Sequence, residues 1–113
     1  MALSLSFIVL KAQDLDKSLA FYRALGLQFS EVHDDGPPCY SCDLGNVVLE
    51  LYFGMDAKKE SIQEVDVLGF DVKDCDGIAS KLQDLGYSRI DSKPYVIFHD
   101  PDGRRVLLKE HQG

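Results

Sequence analysis

The sequence predicts an α+β fold in which two βαβββ modules form a curved, cup-shaped mixed β-sheet with the helices outside. Two observations favour this fold: an internal repeat with helix boundaries in both copies, and three short strands after each helix. A sheet covered by one helix has only one face buried, so its other face must curl, dimerise or bind something.

The repeat aligns residues 7–27 with residues 67–87 at a constant spacing and without a gap. Asp14 falls on Asp74, and each is placed to cap a helix. Gly26 falls on Gly86, and each is placed to end that helix in the left-handed conformation. Apolar residues follow the helical period between these caps: Leu15, Leu19, Tyr22 and Leu25 in the first copy, and Cys75, Ile78, Leu82 and Leu85 in the second.

One strand is predicted before each helix, and three short strands after it. The first copy has Leu3–Ala12, Gln28–His33, Cys39–Leu44 and Val47–Phe53, and the second has Val65–Lys73, Tyr87–Asp91, Tyr95–His99 and Arg104–Glu110. Turns rich in Gly, Pro and Asp separate the strands, among them "DDGPP" and "DPDG". We expect one domain over residues 1–113, with module 1 at about 1–53, a polar linker at about 54–64 and module 2 at about 65–113.

The chain carries a formal net charge of −7 and a pI near 4.7. This acidity argues against a nucleic-acid or anionic-membrane partner. It is compatible with a cationic ligand, although acidity also serves solubility alone. The apolar opening "MALSLSFIVLK" is short and lacks a preceding basic segment, which predicts neither a signal peptide nor a membrane span.

Three cysteines favour a reducing cytoplasm over a disulfide scaffold. Two of them, Cys39 and Cys42, form a CxxC motif inside a predicted strand. Residues three apart in a strand point to opposite faces, so we expect this pair to form neither a disulfide nor a metal site.

A carboxylate in the middle of an apolar strand, Glu50 in "NVVLELYF", marks the candidate site. Alternation places Leu49 and Leu51 under the helix and Glu50 on the opposite face, toward the cup. The same alternation predicts a mostly apolar cup floor with a few polar groups, the composition of a small-molecule pocket. The predicted ligand-binding residues are Phe7, Val9, Val48, Glu50, Tyr52, Val67, Arg105, Leu107 and Lys109.

The chain resembles the vicinal oxygen chelate superfamily, which includes glyoxalase I, extradiol dioxygenases, fosfomycin-resistance enzymes and bleomycin-resistance proteins. The resemblance covers nearly the whole chain. Its most specific parts are "DLDKSLAFYRALGLQF", "NVVLELYF" and "FHDPDGRRVLL".

In metal-dependent members of that superfamily, the resemblance implies one metal ligand from the first and one from the last strand of each module. These positions correspond here to Phe7, Glu50, Val67 and Leu107, so one of the four carries a donor atom. Divalent metals need several imidazole or carboxylate ligands. The histidines are expected at strand ends and rims: His33, His99 and His111. We therefore expect no metal site and no cofactor.

The resemblance then implies a homodimeric protein of the bleomycin-resistance type, which sequesters a small molecule, such as a cationic drug or metabolite, in a cup between subunits. The alternative is a superfamily enzyme (lyase, isomerase or dioxygenase) with an altered site in which Glu50 is the catalytic candidate. A third hypothesis is a structural or regulatory dimer with a vestigial cup.

The roles of the cup residues stay open at this point. The Glu50 carboxylate is a counter-ion for a basic ligand, a general base, or half of a structural ion pair with Arg105 or Lys109. The apolar residues Phe7 and Leu107 either contact a ligand or fill a closed cup, and the same holds for Val67.

Overall fold

The computed structural model describes residues 5–32, 39–54 and 67–111. The elements of the first module are β1 (Phe7–Ala12), α1 (Leu15–Ala24), β2 (Ser30–Val32), β3 (Cys39–Asp43) and β4 (Val48–Phe53). Those of the second are β5 (Val67–Val72), α2 (Cys75–Asp84), β6 (Ile90–Ser92), β7 (Tyr95–His99) and β8 (Arg105–Glu110). The predicted α+β fold of two βαβββ modules is confirmed, with most strands shorter than predicted.

Several predicted features lie outside the described residues: the first residues of the opening strand, the "DDGPP" turn, His33, and nearly all of the linker at 54–64. The division into modules with these boundaries stays a prediction.

Each module contains its own four-stranded mixed sheet, in the orders β1-β4-β3-β2 and β5-β8-β7-β6. The first and last strands of each module are parallel and the remaining pairs antiparallel. In the parallel pairs, Val9 lies opposite Glu50 and Gly69 lies opposite Leu107. Among the described residues no strand of one sheet pairs with a strand of the other.

Both helices begin and end where the repeat predicts. The Asp14 side chain accepts the N–H of Lys17, and the Asp74 side chain accepts that of Gly77, each at 3.1 Å. After each helix, Gly26 and Gly86 take positive φ angles of 106° and 102°, which a residue with a Cβ adopts only with strain.

Most of the predicted apolar helix positions are buried, and Leu15 and Ile78 are partly buried against the core. Leu85 is 52% exposed, whereas its repeat partner Leu25 is 7% exposed. Leu25 faces α2 across a small cavity that Ile78 also lines. No comparable cover is seen over Leu85 among the described residues.

One hydrophobic core joins the two modules. It contains residues of both helices and of the inner sheet faces, including Leu51 of β4 and Leu108 of β8. The rings of Phe21 on α1 and Tyr87 after α2 meet edge to face, with centroids 4.9 Å apart. The helices therefore pack toward a shared interior, and the opposite face of each sheet is left to carry the cup residues.

A buried polar network links the β7–β8 turn of module 2 to module 1. Asp100 accepts hydrogen bonds from the Tyr22 hydroxyl at 2.5 Å and from Arg104 Nη1 at 3.1 Å. Arg104 Nη2 donates to the backbone carbonyl of Lys11 at 2.7 Å. Asp102 accepts the backbone N–H of Gln13 at 3.2 Å. These contacts connect the end of β1 and the middle of α1 to the turn before β8.

The network holds more carboxylate than guanidinium charge, and its groups are largely removed from water. Burial, reinforced by the Asp100 carboxylate, raises the pKa of Tyr22 far above its ordinary range, so the hydroxyl remains a donor. Burial also raises the pKa of Asp102, with Asp100 adding to the shift and Arg104 opposing it.

Replacing Arg104 by Met removes the cation that Asp100 and Asp102 share. Leaving buried carboxylates uncompensated costs about 3–5 kcal/mol, so we expect the free energy of unfolding, measured by urea denaturation, to fall by that order. The matched control is Arg89→Met, which breaks the surface pairs with Asp76 and Asp91. Similar losses for both variants would contradict the structural role of Arg104.

Asp102 also predicts a pH dependence of stability. A carboxyl whose pKa is raised on folding binds its proton more tightly in the folded state than in the unfolded state. The ionised carboxyl therefore lowers the free energy of unfolding. This loss is absent below the pKa of the unfolded state and complete above the pKa of the folded state. On acidification from neutral pH toward 3.8, the ordinary pKa of an aspartate side chain, the wild type should gain stability relative to Asp102→Asn. Urea midpoints of both proteins across this range measure the difference, and a constant difference would refute the prediction.

Candidate functional site

One face of the module 1 sheet carries the predicted cup residues, and we call it the module 1 cup face. The β1–β4 register places Phe7 beside Val48, Val9 beside Glu50, and Lys11 beside Tyr52. On the other face, Leu49 and Leu51 are 2% and 0% exposed beneath the helix. Glu50 therefore points away from the core, as strand alternation predicts.

A cavity of about 560 Å³ lies on this face. Its volume is within the range of small-molecule sites. Its lining is mostly apolar, with one carboxylate and one ammonium group. The lining residues are Phe7, Val9, Lys11, Glu50, Tyr52 and Phe53.

A second cavity, also of about 560 Å³, lies over β2 and β3. The strand register places Ser41 and Ser30 on the same sheet face as Glu50. Cys42 of the core face and Leu27 after α1 also line the cavity, so it is lined from both sides of the sheet. Its lining includes Gln28, Ser30, Val32, Ser41 and Asp43. The prediction from sequence did not include these residues, although alternation in β3 alone would have indicated Ser41 and Asp43.

The second module has a corresponding surface, the module 2 cup face. It comprises Val67, Gly69 and Asp71 of β5, together with Arg105, Leu107 and Lys109 of β8. Val67 is 44% exposed. A Cβ placed on Gly69 would meet no atom within 4 Å, so the surface beside Leu107 is open.

Within the part of the chain that the structure describes, the two cup faces lie on two separate sheets. The cavities on the module 1 face are lined by module 1 residues. Phe7 on one face and Val67 on the other are 61% and 44% exposed. The nine predicted cup residues thus lie on two separate surfaces.

Glu50 is half-buried, and within the described residues its carboxylate forms no ion pair or hydrogen bond. An ion pair with Arg105 or Lys109 of the same chain, one of the alternatives drawn from the sequence, is therefore not formed. Arg105 has an interaction of its own.

The residues present do not fit the metal site that the resemblance implies. Phe7, Val67 and Leu107 provide no metal-binding atoms. Among the described residues no group of three or more His, Cys, Asp and Glu side chains is placed to hold an ion. His99 ends β7 at the exposed surface and His111 follows β8.

The CxxC cysteines are divided between the two sheet faces, as predicted. Cys39 pairs with Tyr52 on the cup face, and Cys42 pairs with Leu49 on the core face. Both are buried and free. None of the helices among the described residues is long and apolar enough to cross a membrane.

The family model "Glyoxalase/Bleomycin resistance protein/Dioxygenase superfamily" matches residues 4–108. The chain belongs to this superfamily. Membership confirms the family predicted from the helix and turn motifs. Comparison with curated proteins yields no significant match.

Solved structures of superfamily type share the fold at low sequence identity. YycE from Bacillus subtilis, described as a putative glyoxalase/fosfomycin resistance protein, has a TM-score of 0.72 and 23% identity, covering 97% of this chain and 91% of its own. A mutant of the fosfomycin resistance protein FosX from Listeria monocytogenes, complexed with Mn(II) and a dihydroxypropylphosphonic acid, has a TM-score of 0.76 and 18% identity, with coverages of 99% and 93%. The oxidase ChaP-H2 has a TM-score of 0.73 and 17% identity, with coverages of 99% and 96%.

Rebuilding the metal positions that the resemblance implies should raise the affinity for metal above that of the wild type. Because these positions lie on two sheets, the four donors would meet where module 1 of one copy faces module 2 of a second. The triple variant Phe7→His, Val67→His, Leu107→Glu adds three donors to Glu50. A metal present at a hundredfold excess over its dissociation constant stabilises a folded protein by about 2.7 kcal/mol, so Mn²⁺ should raise the melting temperature of the variant and not of the wild type. The matched control is Phe7→Leu, Val67→Leu, Leu107→Ile, and an equal Mn²⁺ response in the wild type would show that these positions were assigned wrongly.

Proposed function

We propose that this superfamily member binds a small molecule in a cup formed by module 1 of one copy and module 2 of a second copy, without the superfamily's metal site. The observation that carries the proposal is the exposure of two cup faces on separate sheets of one chain, each of which presents apolar side chains such as Phe7 and Val67. Exposed apolar surface of this kind marks binding or association sites. A homodimer in which each copy contributes both faces would cover all of them at once.

Charge favours the pairing of unlike modules. The module 1 cup face carries the carboxylates of Glu50 and Asp43 against the ammonium of Lys11. The module 2 cup face carries Arg105 and Lys109 against the carboxylate of Asp71. In a symmetric dimer that pairs like faces, each charged residue would approach the same residue of the other chain. Pairing unlike faces instead brings acidic and basic surfaces together.

The donor set favours binding over metal-assisted chemistry. Three of the four positions that hold the metal in other members are Phe7, Val67 and Leu107. The apolar and aromatic lining around Glu50 provides contact area for a ligand instead. Sequestration of a drug or metabolite, with a role in antibiotic resistance of the kind named for FosX, is consistent with this arrangement.

The alternative function is an enzyme of the superfamily with a site centred on Glu50. Relatives of the same fold include a fosfomycin resistance protein and an oxidase. A half-buried carboxylate in a cavity is able to act as a general base. Elemental analysis of protein purified without chelators separates the two functions, because stoichiometric metal favours the enzyme and its absence favours the binding protein.

The three free cysteines, which the fold keeps buried and separate, support a reducing compartment such as the cytoplasm as the site of action.

The neutral fluorophore N-phenyl-1-naphthylamine tests the shared cup independently of ligand charge. We expect a dimer by sedimentation, and fluorescence enhancement that weakens about tenfold in Phe7→Gln and in Leu107→Gln, because each substitution puts a polar group into apolar contact area. The control is Leu85→Gln, which changes an exposed leucine outside both cup faces.

A subunit-mixing experiment completes this test. Each mixed dimer of Phe7→Gln and Leu107→Gln chains contains one cup with both substitutions and one with neither, so co-refolding equal amounts should recover tight sites. A monomer in sedimentation, or a mixture no better than its components, would contradict a cup shared between copies. Absence of fluorophore binding by the wild type would contradict the binding function itself.

A further inference from the structure

The module 1 cavity contains two opposite charges that form no ion pair with each other. Glu50 and Lys11 both line it. No salt bridge within 4.0 Å joins Lys11 to any carboxylate among the described residues. The cavity therefore offers a negative and a positive group at the same time.

Strand register sets the spacing of these charges. Glu50 lies opposite Val9 and Lys11 lies opposite Tyr52, so the charged residues are on neighbouring strands and one same-face step apart. From the strand rise and the distance between strands, their backbones are separated by about 8 Å. A small molecule with two charged groups fits between them.

Gly54 contributes to the position of Lys11. A Cβ on residue 54 would lie 2.8 Å from Cβ and Cδ of Lys11. Because glycine leaves this space free, the aliphatic part of Lys11 lies across the chain just after β4. Lys11 and Phe53 then both line the cavity.

We propose that the cavity binds a zwitterion with an apolar body, an α-amino acid or aminophosphonate with an aromatic side chain. The inference rests on the proposed function and specifies its ligand class. The ligand's ammonium faces Glu50, its carboxylate or phosphonate faces Lys11, and its ring lies among Phe7, Tyr52 and Phe53.

Closure of the cup also favours a ligand with charges of both signs. When a second copy covers the cavity, Glu50 and Lys11 lose water, and an uncompensated charge in a closed site is unfavourable. A cationic ligand would compensate Glu50 and leave Lys11 unmatched. The module 2 cup face of the second copy carries the basic residues Arg105 and Lys109 together with Asp71, so it also presents charges of both signs. A ligand with charges of both signs compensates both Glu50 and Lys11 in the closed cup.

Four probes with the same phenyl ring test the inference by calorimetry on the full chain: 2-phenylethylamine, 3-phenylpropanoate, L-phenylalanine and its phosphonate analogue. Hydrogen bonds to charged groups change affinity by about tenfold to a hundredfold. We expect at least one zwitterion to bind about tenfold more tightly than either singly charged probe, and the stronger of the two shows whether the anionic group is a carboxylate or a phosphonate.

Charge-neutralising variants test which residue of the cavity binds which charged group of the ligand. Glu50→Gln should abolish the advantage of the zwitterion over the propanoate and retain its advantage over the amine. Lys11→Met should do the reverse. The control is Lys81→Met on α2, outside the module 1 cavity, which should leave the ranking of the probes unchanged.

Two outcomes would overturn the inference while leaving the binding function intact. In one, N-phenyl-1-naphthylamine binds but neither zwitterion exceeds the amine, which indicates a cup for simple cations. In the other, affinities do not depend on probe charge and Glu50→Gln dissociates the dimer, which indicates that Glu50 pairs with Lys109 of the second copy. Failure of the neutral fluorophore to bind would instead reject the proposed function.

Discussion

Each sheet of this protein has one helix to cover it, and that geometric constraint determines where the rest of the structure places its chemistry. The helix covers one face of the sheet. Because side chains alternate along each strand, the other half of them form a second face on the opposite side of the sheet. In module 1 the covered face holds Leu49 and Leu51, while the uncovered face holds Glu50 and Tyr52. A polar group in the middle of β4 is tolerated because it lies on the face without a helix.

The buried network around Arg104 determines how the two modules are joined. It links the β7–β8 turn to Tyr22 on α1 and to the backbone of β1. The repeat does not reproduce it, because Val47 occupies the corresponding place before β4 and has no group to donate. The two modules therefore share a fold and differ in their contacts, and the junction is built on the core side. The cup faces are left directed away from it.

Much of the fold was predictable because its signals are local. Asp14 and Asp74 cap helices through hydrogen bonds to N–H groups three residues away, and Gly26 and Gly86 end them through their own backbone angles. Strand alternation likewise placed Glu50 opposite the core. Leu85 escaped prediction because burial of a residue at a helix end depends on what lies beyond it. The network between Asp100, Arg104 and Tyr22 also escaped it, because its members are distant in sequence.

The candidate site shows the same division between local and distant information. The amino-acid sequence by itself determined which strand residues belong to the cup faces, because a period of two residues assigns each side chain to a face. It also determined that Phe7, Val67 and Leu107 lack the atoms to bind a metal. Only the tertiary structure decided that, in the described part of the chain, the two cup faces lie on separate sheets, and that Lys11 joins Glu50 in one cavity. These outcomes depend on how sheets and helices pack in three dimensions, and packing between distant segments leaves no periodic signal in the chain.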